Sequence, residues 1–170
     1  MNERSPSSEG EELIEEFLKE KLIEFKREKE ILNLNDDNKE YRIADFYLPR
    51  YKVYLEFFGK WNVEEYRIRY QKKKEVYDKN EIPCIYVYPD NLGALDFIFK
   101  RRLKDILNKH HKLKFQRFKY NIDILMEKHL LELIIVGLLI YFIKDITAKI
   151  IFSVIFIYML YNAIKSIFLN

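Results

Sequence analysis

Charge almost stops at residue 130. The chain carries 30 Lys and Arg against 27 Asp and Glu, a net charge of +3, yet beyond His129 the charged residues are Glu132, Lys144, Asp145, Lys149 and Lys165. A chain of 170 residues so divided has room for one charged domain and one apolar appendage. The appendage consists of two runs, residues 130–143 and 150–164, with a polar turn at 144–149 between them. The stretch 134–140 is apolar all round, whereas a soluble helix keeps a polar face. The pattern predicts two membrane-spanning helices over residues 129–170. Each uninterrupted run spans only about 21–23 Å against a hydrocarbon core of roughly 30 Å. Full crossing therefore requires lengthening at the ends, with His129, Lys144, Lys149 and Lys165 reaching to the headgroups. A soluble helical assembly is the alternative.

Before this tail lies a basic segment, from Lys100 to Lys119, in which nine Lys and Arg face a single acid, Asp105. It suits phosphate of nucleic acid or of anionic lipid, or a solvated helix face. Residues 108–128 read as a basic juxtamembrane helix or linker. Cationic residues are dense before the first apolar run and sparse in the turn. The positive-inside rule therefore puts the charged domain and the C-terminus in the cytoplasm. The polar first ten residues predict no signal peptide. The single cysteine, Cys84, excludes an intramolecular disulfide and a cysteine-based zinc site.

Within the charged part, residues 1–7 read as a disordered start. Ser8 and Glu11 match a capping box, and the helix behind it carries Leu13, Ile14, Phe17, Leu18, Leu22 and Phe25 at three- and four-residue spacing. Glu11 falls near the edge of that apolar face. Residues 25–32 read as an exposed first strand and 33–39 as a polar turn. Strands follow at 41–48 and 51–58, with Pro49 and Arg50 as the turn between them. A charged helix at 63–79 bears Val63, Tyr66, Tyr70, Lys73 and Tyr77 on one stripe. Residues 82–88 are a continuous apolar run, as in a strand covered on both faces. A last helix covers 92–107. The order α-β-β-β-α-β-α is an α/β sandwich, three meandering strands with a fourth added after a crossover.

The strand pair at 41–58 carries one acid on each strand. With Pro49 and Arg50 as the two turn residues, Asp45 faces Tyr54. Glu56 then shares the face of Asp45 as a diagonal neighbour, roughly 7–8 Å away at the backbone. Two such carboxylates with a lysine close by can hold a divalent ion against a phosphodiester. A one-residue change of register would put them on opposite faces. Asp45 lies between Ala44 and Phe46, inside a strand, where an unpaired carboxylate is costly.

The segment "ADFYLP", a short gap, and "YLEFFG" (residues 44–59) resembles the core of the PD-(D/E)XK nuclease superfamily, in particular its small restriction-endonuclease-like domains. Residues 10–18, "GEELIEEFL", resemble the opening helix of the same domains. The resemblance covers residues 8–107. It implies a restriction-endonuclease-like core and a Mg²⁺- or Mn²⁺-dependent endonuclease, with Glu11, Asp45 and Glu56 as acidic residues and Asp45 and Glu56 on the metal. Two positions depart from the pattern. Ala44 stands for the signature proline, and Phe58 for the signature lysine. Some members of the superfamily supply that lysine from the following helix. Lys73 is the first candidate here, with Lys74 and Lys60 next. Lys60, Arg67, Lys72 and Lys74 are candidates to follow a DNA backbone. The expected partners are DNA and the lipid bilayer, and a homodimer is compatible with the pattern. The alternative function is a catalytically inactive nuclease-fold module that tethers nucleic acid or a protein partner to the membrane.

Overall fold

The computed structural model describes residues 8–168; the disordered start expected at 1–7 lies outside them. The chain divides into two compact units, up to Arg117 and from Phe118 onward. The first unit is α/β. Helix α1 (Glu9–Glu20) precedes strands β1 (Lys26–Leu32), β2 (Tyr41–Leu48) and β3 (Val53–Phe57). Helix α2 (Glu64–Lys79), strand β4 (Cys84–Val87), a 3₁₀ turn (Pro89–Ala94) and helix α3 (Leu95–Lys109) follow. The sheet order is β1-β2-β3-β4. The first three strands are antiparallel, and β4 is parallel to β3 after the α2 crossover. This is the mixed four-stranded sheet that the strand pattern predicts.

Helix α1 starts on its capping box. Ser8 Oγ accepts from Glu11 N–H and Glu11 Oε2 accepts from Ser8 N–H, both at 3.4 Å. It ends earlier than its apolar spacing suggests. Ile23 N–H donates to Leu18 C=O and Leu22 N–H to Lys19 C=O, the pair of bonds that closes a helix through a left-handed residue. That residue is Leu22, at φ 53° and 92% exposed, so it belongs to the stop signal and not to the apolar face. Ile14, Phe17 and Leu18 are buried, and the Phe17 ring meets Phe99 of α3 edge to face at 5.3 Å. Helix α2 contributes Val76 and Tyr77 to a second cluster with Ile31, Ala44 and Cys84. The outer backbone edge of β4 is engaged by Arg102, which donates to the Tyr86 carbonyl. The unit continues past residue 107, the end expected from the sequence, because Leu113 and Gln116 are buried as well.

In the tail, helix α4 runs unbroken from Lys114 to Phe142, so residues 114–128 are part of that helix and not a separate linker. Helix α5 covers Ile146–Phe168. The turn between them shortens from the expected six residues to 143–145. Asp145 caps α5, its Oδ1 accepting from Ala148 N–H at 2.7 Å, and so draws residues 146–149 into the helix. Among the described residues, α5 is the one helix long and apolar enough to cross a membrane, over Ile146–Lys165. At 1.5 Å per residue its 23 residues reach about 34 Å. Its Ile150, Val154, Ile157 and Tyr158 are exposed.

Candidate active site

Asp45 and Glu56 are brought together by the β2–β3 hairpin. The ladder pairs Leu48 with Val53, Tyr47 with Tyr54 and Phe46 with Leu55. The loop therefore holds four residues, 49–52, not the two assumed from Pro49-Arg50. Lys52 takes a left-handed conformation (φ 55°), and Tyr51 N–H closes on Leu48 C=O at 3.2 Å. The register shifts by two residues. An even shift preserves which face each side chain occupies, so Asp45 and Glu56 still share a face. It also moves them from diagonal neighbours to directly opposite positions.

Regular pairing stops at this point. Phe57 N–H leaves the ladder and donates to Asp45 Oδ2 at 2.6 Å. The Ile43 carbonyl accepts from Lys73 Nζ at 2.9 Å. On the other side of β2, the β1 pairing skips Glu28, which has φ 50°. Side chains thus take the place of sheet hydrogen bonds around Asp45.

Glu56 is 1% exposed and both its oxygens are engaged. Lys73 Nζ donates to Oε2 at 2.6 Å, and the Tyr77 hydroxyl to Oε1 at 2.9 Å. Lys73 and Tyr77 lie one helical turn apart on α2, which sets both groups over the same carboxylate. Burial, then the neighbouring Asp45, push Glu56 up to about 8 against the pull of Lys73 and Tyr77. Burial likewise raises Asp45, with Lys73 and the Phe57 amide opposing and Glu11 adding to the rise. Asp45 and Glu56 face each other across the hairpin, and the charge of Asp45 is felt at Glu56. A buried and a half-buried carboxylate on facing strands repel, and a shared proton or a cation relieves the repulsion.

Glu11 acts on Asp45 through its charge, but its carboxylate serves the α1 cap and stands 3.5 Å from Arg27, which also binds Glu15. Among the described residues, no three His, Cys, Asp or Glu side chains gather as a metal-ligand group. The residues that could hold a divalent ion here are the Asp45–Glu56 pair, two carboxylates. That fits Mg²⁺, which commonly takes one or two carboxylates and completes its shell with water and substrate phosphate.

The other cations expected from the sequence lie elsewhere. Lys60 is held at Tyr66, 3.3 Å from its hydroxyl and 4.5 Å from its ring centroid. Lys74 sits over the Tyr86 ring and lines a separate cavity of about 240 Å³. Arg67 pairs with Glu64 at 3.8 Å, and Lys72 is exposed. A cleft of about 600 Å³ opens beside Lys73 instead, lined by Lys39, Arg42, Arg69, Tyr41 and Tyr70 among others. Arg69 precedes Lys73 by four residues, one turn along the same helix face, and that spacing was the readable signal. Arg42 is fixed by a bidentate pair with Asp37 at 2.6 and 2.7 Å.

Phe58, at the signature lysine's position, is 1% exposed and stacks on Tyr70 at 4.3 Å. Gly10 is required where α1 meets the end of β3, since a Cβ there would stand 2.2 Å from the Phe57 ring.

No protein-family model, curated protein or solved structure matches this chain.

Proposed function

We propose that the chain is a membrane-anchored, divalent-metal-dependent nuclease of the PD-(D/E)XK type that hydrolyses DNA phosphodiester bonds. The observation that carries this reading is the pairing of buried Glu56 with half-buried Asp45 across the hairpin, with the Lys73 amine 2.6 Å from Glu56. Asp45 and Glu56 would hold Mg²⁺ or Mn²⁺. Such an ion would supply Lewis-acid chemistry to the phosphoryl group and lower the pKa of the attacking water. Lys73 supplies positive charge where negative charge develops on the phosphate, the role the strand lysine has in related domains. Tyr77 and the Phe57 amide keep the two carboxylates oriented. Lys39, Arg42 and Arg69 give the adjacent cleft its affinity for a phosphate backbone.

Helix α5 and the apolar end of α4 form the anchor. From His129 to Phe142, α4 provides only about 21 Å of span, so the bilayer thins or flanking side chains reach outward there. The basic residues before His129 favour a cytoplasmic nuclease unit, and two crossings return the C-terminus to the same side.

The full chain in detergent, incubated with labelled DNA, tests this. Cleavage is expected with Mg²⁺ or Mn²⁺, none with EDTA, and none for Asp45→Asn with the metal present. DNA binding without cleavage under every divalent condition would overturn the enzyme. It would favour the second reading, a silent tethering module, for which the full engagement of both Glu56 oxygens speaks.

A further inference from the structure

Phe58 is the buried centre of an aromatic array that continues to partly exposed rings. Its ring is nearly parallel to Tyr70 (4.3 Å, 9°) and to Trp61 (6.0 Å, 8°). Trp61 and Tyr70 are themselves nearly parallel, at 6.4 Å and 16°. Tyr66 extends the array from Tyr70, and its ring lies under Lys60 Nζ at 4.5 Å and near the Arg69 guanidinium at 5.5 Å. Phe58 alone of these four is fully buried; Trp61, Tyr66 and Tyr70 reach solvent. Tyr70 and Arg69 also line the basic cleft that ends at Lys73. The array and the basic cleft therefore meet at Tyr70 and Arg69.

Parallel aromatic planes bordered by cations are what unpaired nucleotides need. Each base has a flat face to stack, and the cations follow the phosphates between them. A duplex keeps its bases stacked inside and cannot use the rings. We infer that the preferred substrate is single-stranded or locally unpaired DNA, its bases stacking on Trp61, Tyr66 and Tyr70 while the backbone runs along the cleft to Lys73. This rests on the proposed nuclease reading for where the strand leads, but the binding itself needs no cleavage. It also accounts for Phe58: the strand position that would carry a lysine instead supports the stacking surface, and the lysine comes from α2.

The chain's one tryptophan is Trp61, which makes the test direct. The full chain in detergent with EDTA is titrated with three probes of about 12 nucleotides: oligothymidylate, the same backbone without bases, and a blunt duplex. The oligothymidylate is expected to quench Trp61 emission and to bind about tenfold more tightly than the other two. Trp61→Ala, with unchanged circular dichroism, is expected to weaken it about tenfold, and Trp61→Phe to restore most of that. Equal binding of the baseless strand or the duplex, unchanged Trp61 emission in the bound state, or wild-type affinity in Trp61→Ala would each overturn the inference. The two proposals fail separately. Quenching without cleavage in Mg²⁺ defeats the nuclease and leaves single-strand binding standing. Cleavage of duplex with no quenching does the reverse.

Discussion

Replacing Glu56 by glutamine is expected to stabilise the protein in alkali while removing activity. Glu56 is 1% exposed, beside Asp45, and held up to about 8 against an ordinary 4.5. Below 4.5 it is protonated whether the chain is folded or not, and its environment costs nothing. As pH rises toward 8, the unfolded chain releases the proton while the folded one retains it, so stability falls with pH across that window. The full interval corresponds to about 5 kcal/mol, an upper bound that the Lys73 and Tyr77 bonds already reduce from what burial alone would impose. Glutamine has no proton to lose. Its oxygen can accept from Lys73, and its amide can donate to the Tyr77 oxygen. The assay is denaturant unfolding of the full chain in detergent, followed by Trp61 emission, at about pH 5 and about pH 9. Near pH 5 the two proteins should match, and near pH 9 the variant should be more stable by a few kcal/mol. His110, lowered by burial, gains stability with pH, but it is common to both proteins and cancels in the comparison. Mg²⁺ should narrow the gap by stabilising the wild type alone. A gap that does not widen with pH, or a variant less stable near pH 9, would refute the picture of a strained, desolvated carboxylate pair. Stability gained at the loss of cleavage is the signature of a site held in an unfavourable state for function.

Lys73→Ala leaves Glu56 with Tyr77 as its remaining donor. It is expected to reduce cleavage by at least a hundredfold while single-strand binding weakens only a few-fold; near wild-type cleavage would move the role to another cation. Leu22→Gly is expected to add about 1 kcal/mol of stability in the same unfolding assay, since the residue is exposed and in a left-handed conformation; a loss would mean that Leu22 packs on something. For the anchor, membrane fractionation and protease protection of a tag at each end are expected to recover the protein in membranes with both tags on the cytoplasmic side. An external C-terminal tag would leave α5 as the single crossing, and a soluble protein would defeat the anchor.

What the sequence determined by itself is a matter of period. Alternation along β2 and β3 placed Asp45 and Glu56 on one face, and this survived a wrong loop length because the error was two residues, a whole pleat repeat. The capping box at Ser8 and the strand order were legible for the same reason, since each is a local pattern. The α2 stripe contained both Lys73 and Tyr77, one turn apart. That stripe made Lys73 the first candidate; the tertiary structure set its amine on Glu56, while Lys74 turns to Tyr86 and Lys60, ahead of α2, is held at Tyr66. The cleft could not be read either. Lys39 and Arg42 come from the approach to and start of β2, and Arg69 from α2, so they converge only once the crossover returns beside Ile43. Phe58 changed meaning in the same way. In the sequence it is a missing lysine; folded, it is the buried ring against which Tyr70 and Trp61 align, because side-chain stacking depends on which elements meet and not on the order in which residues are written.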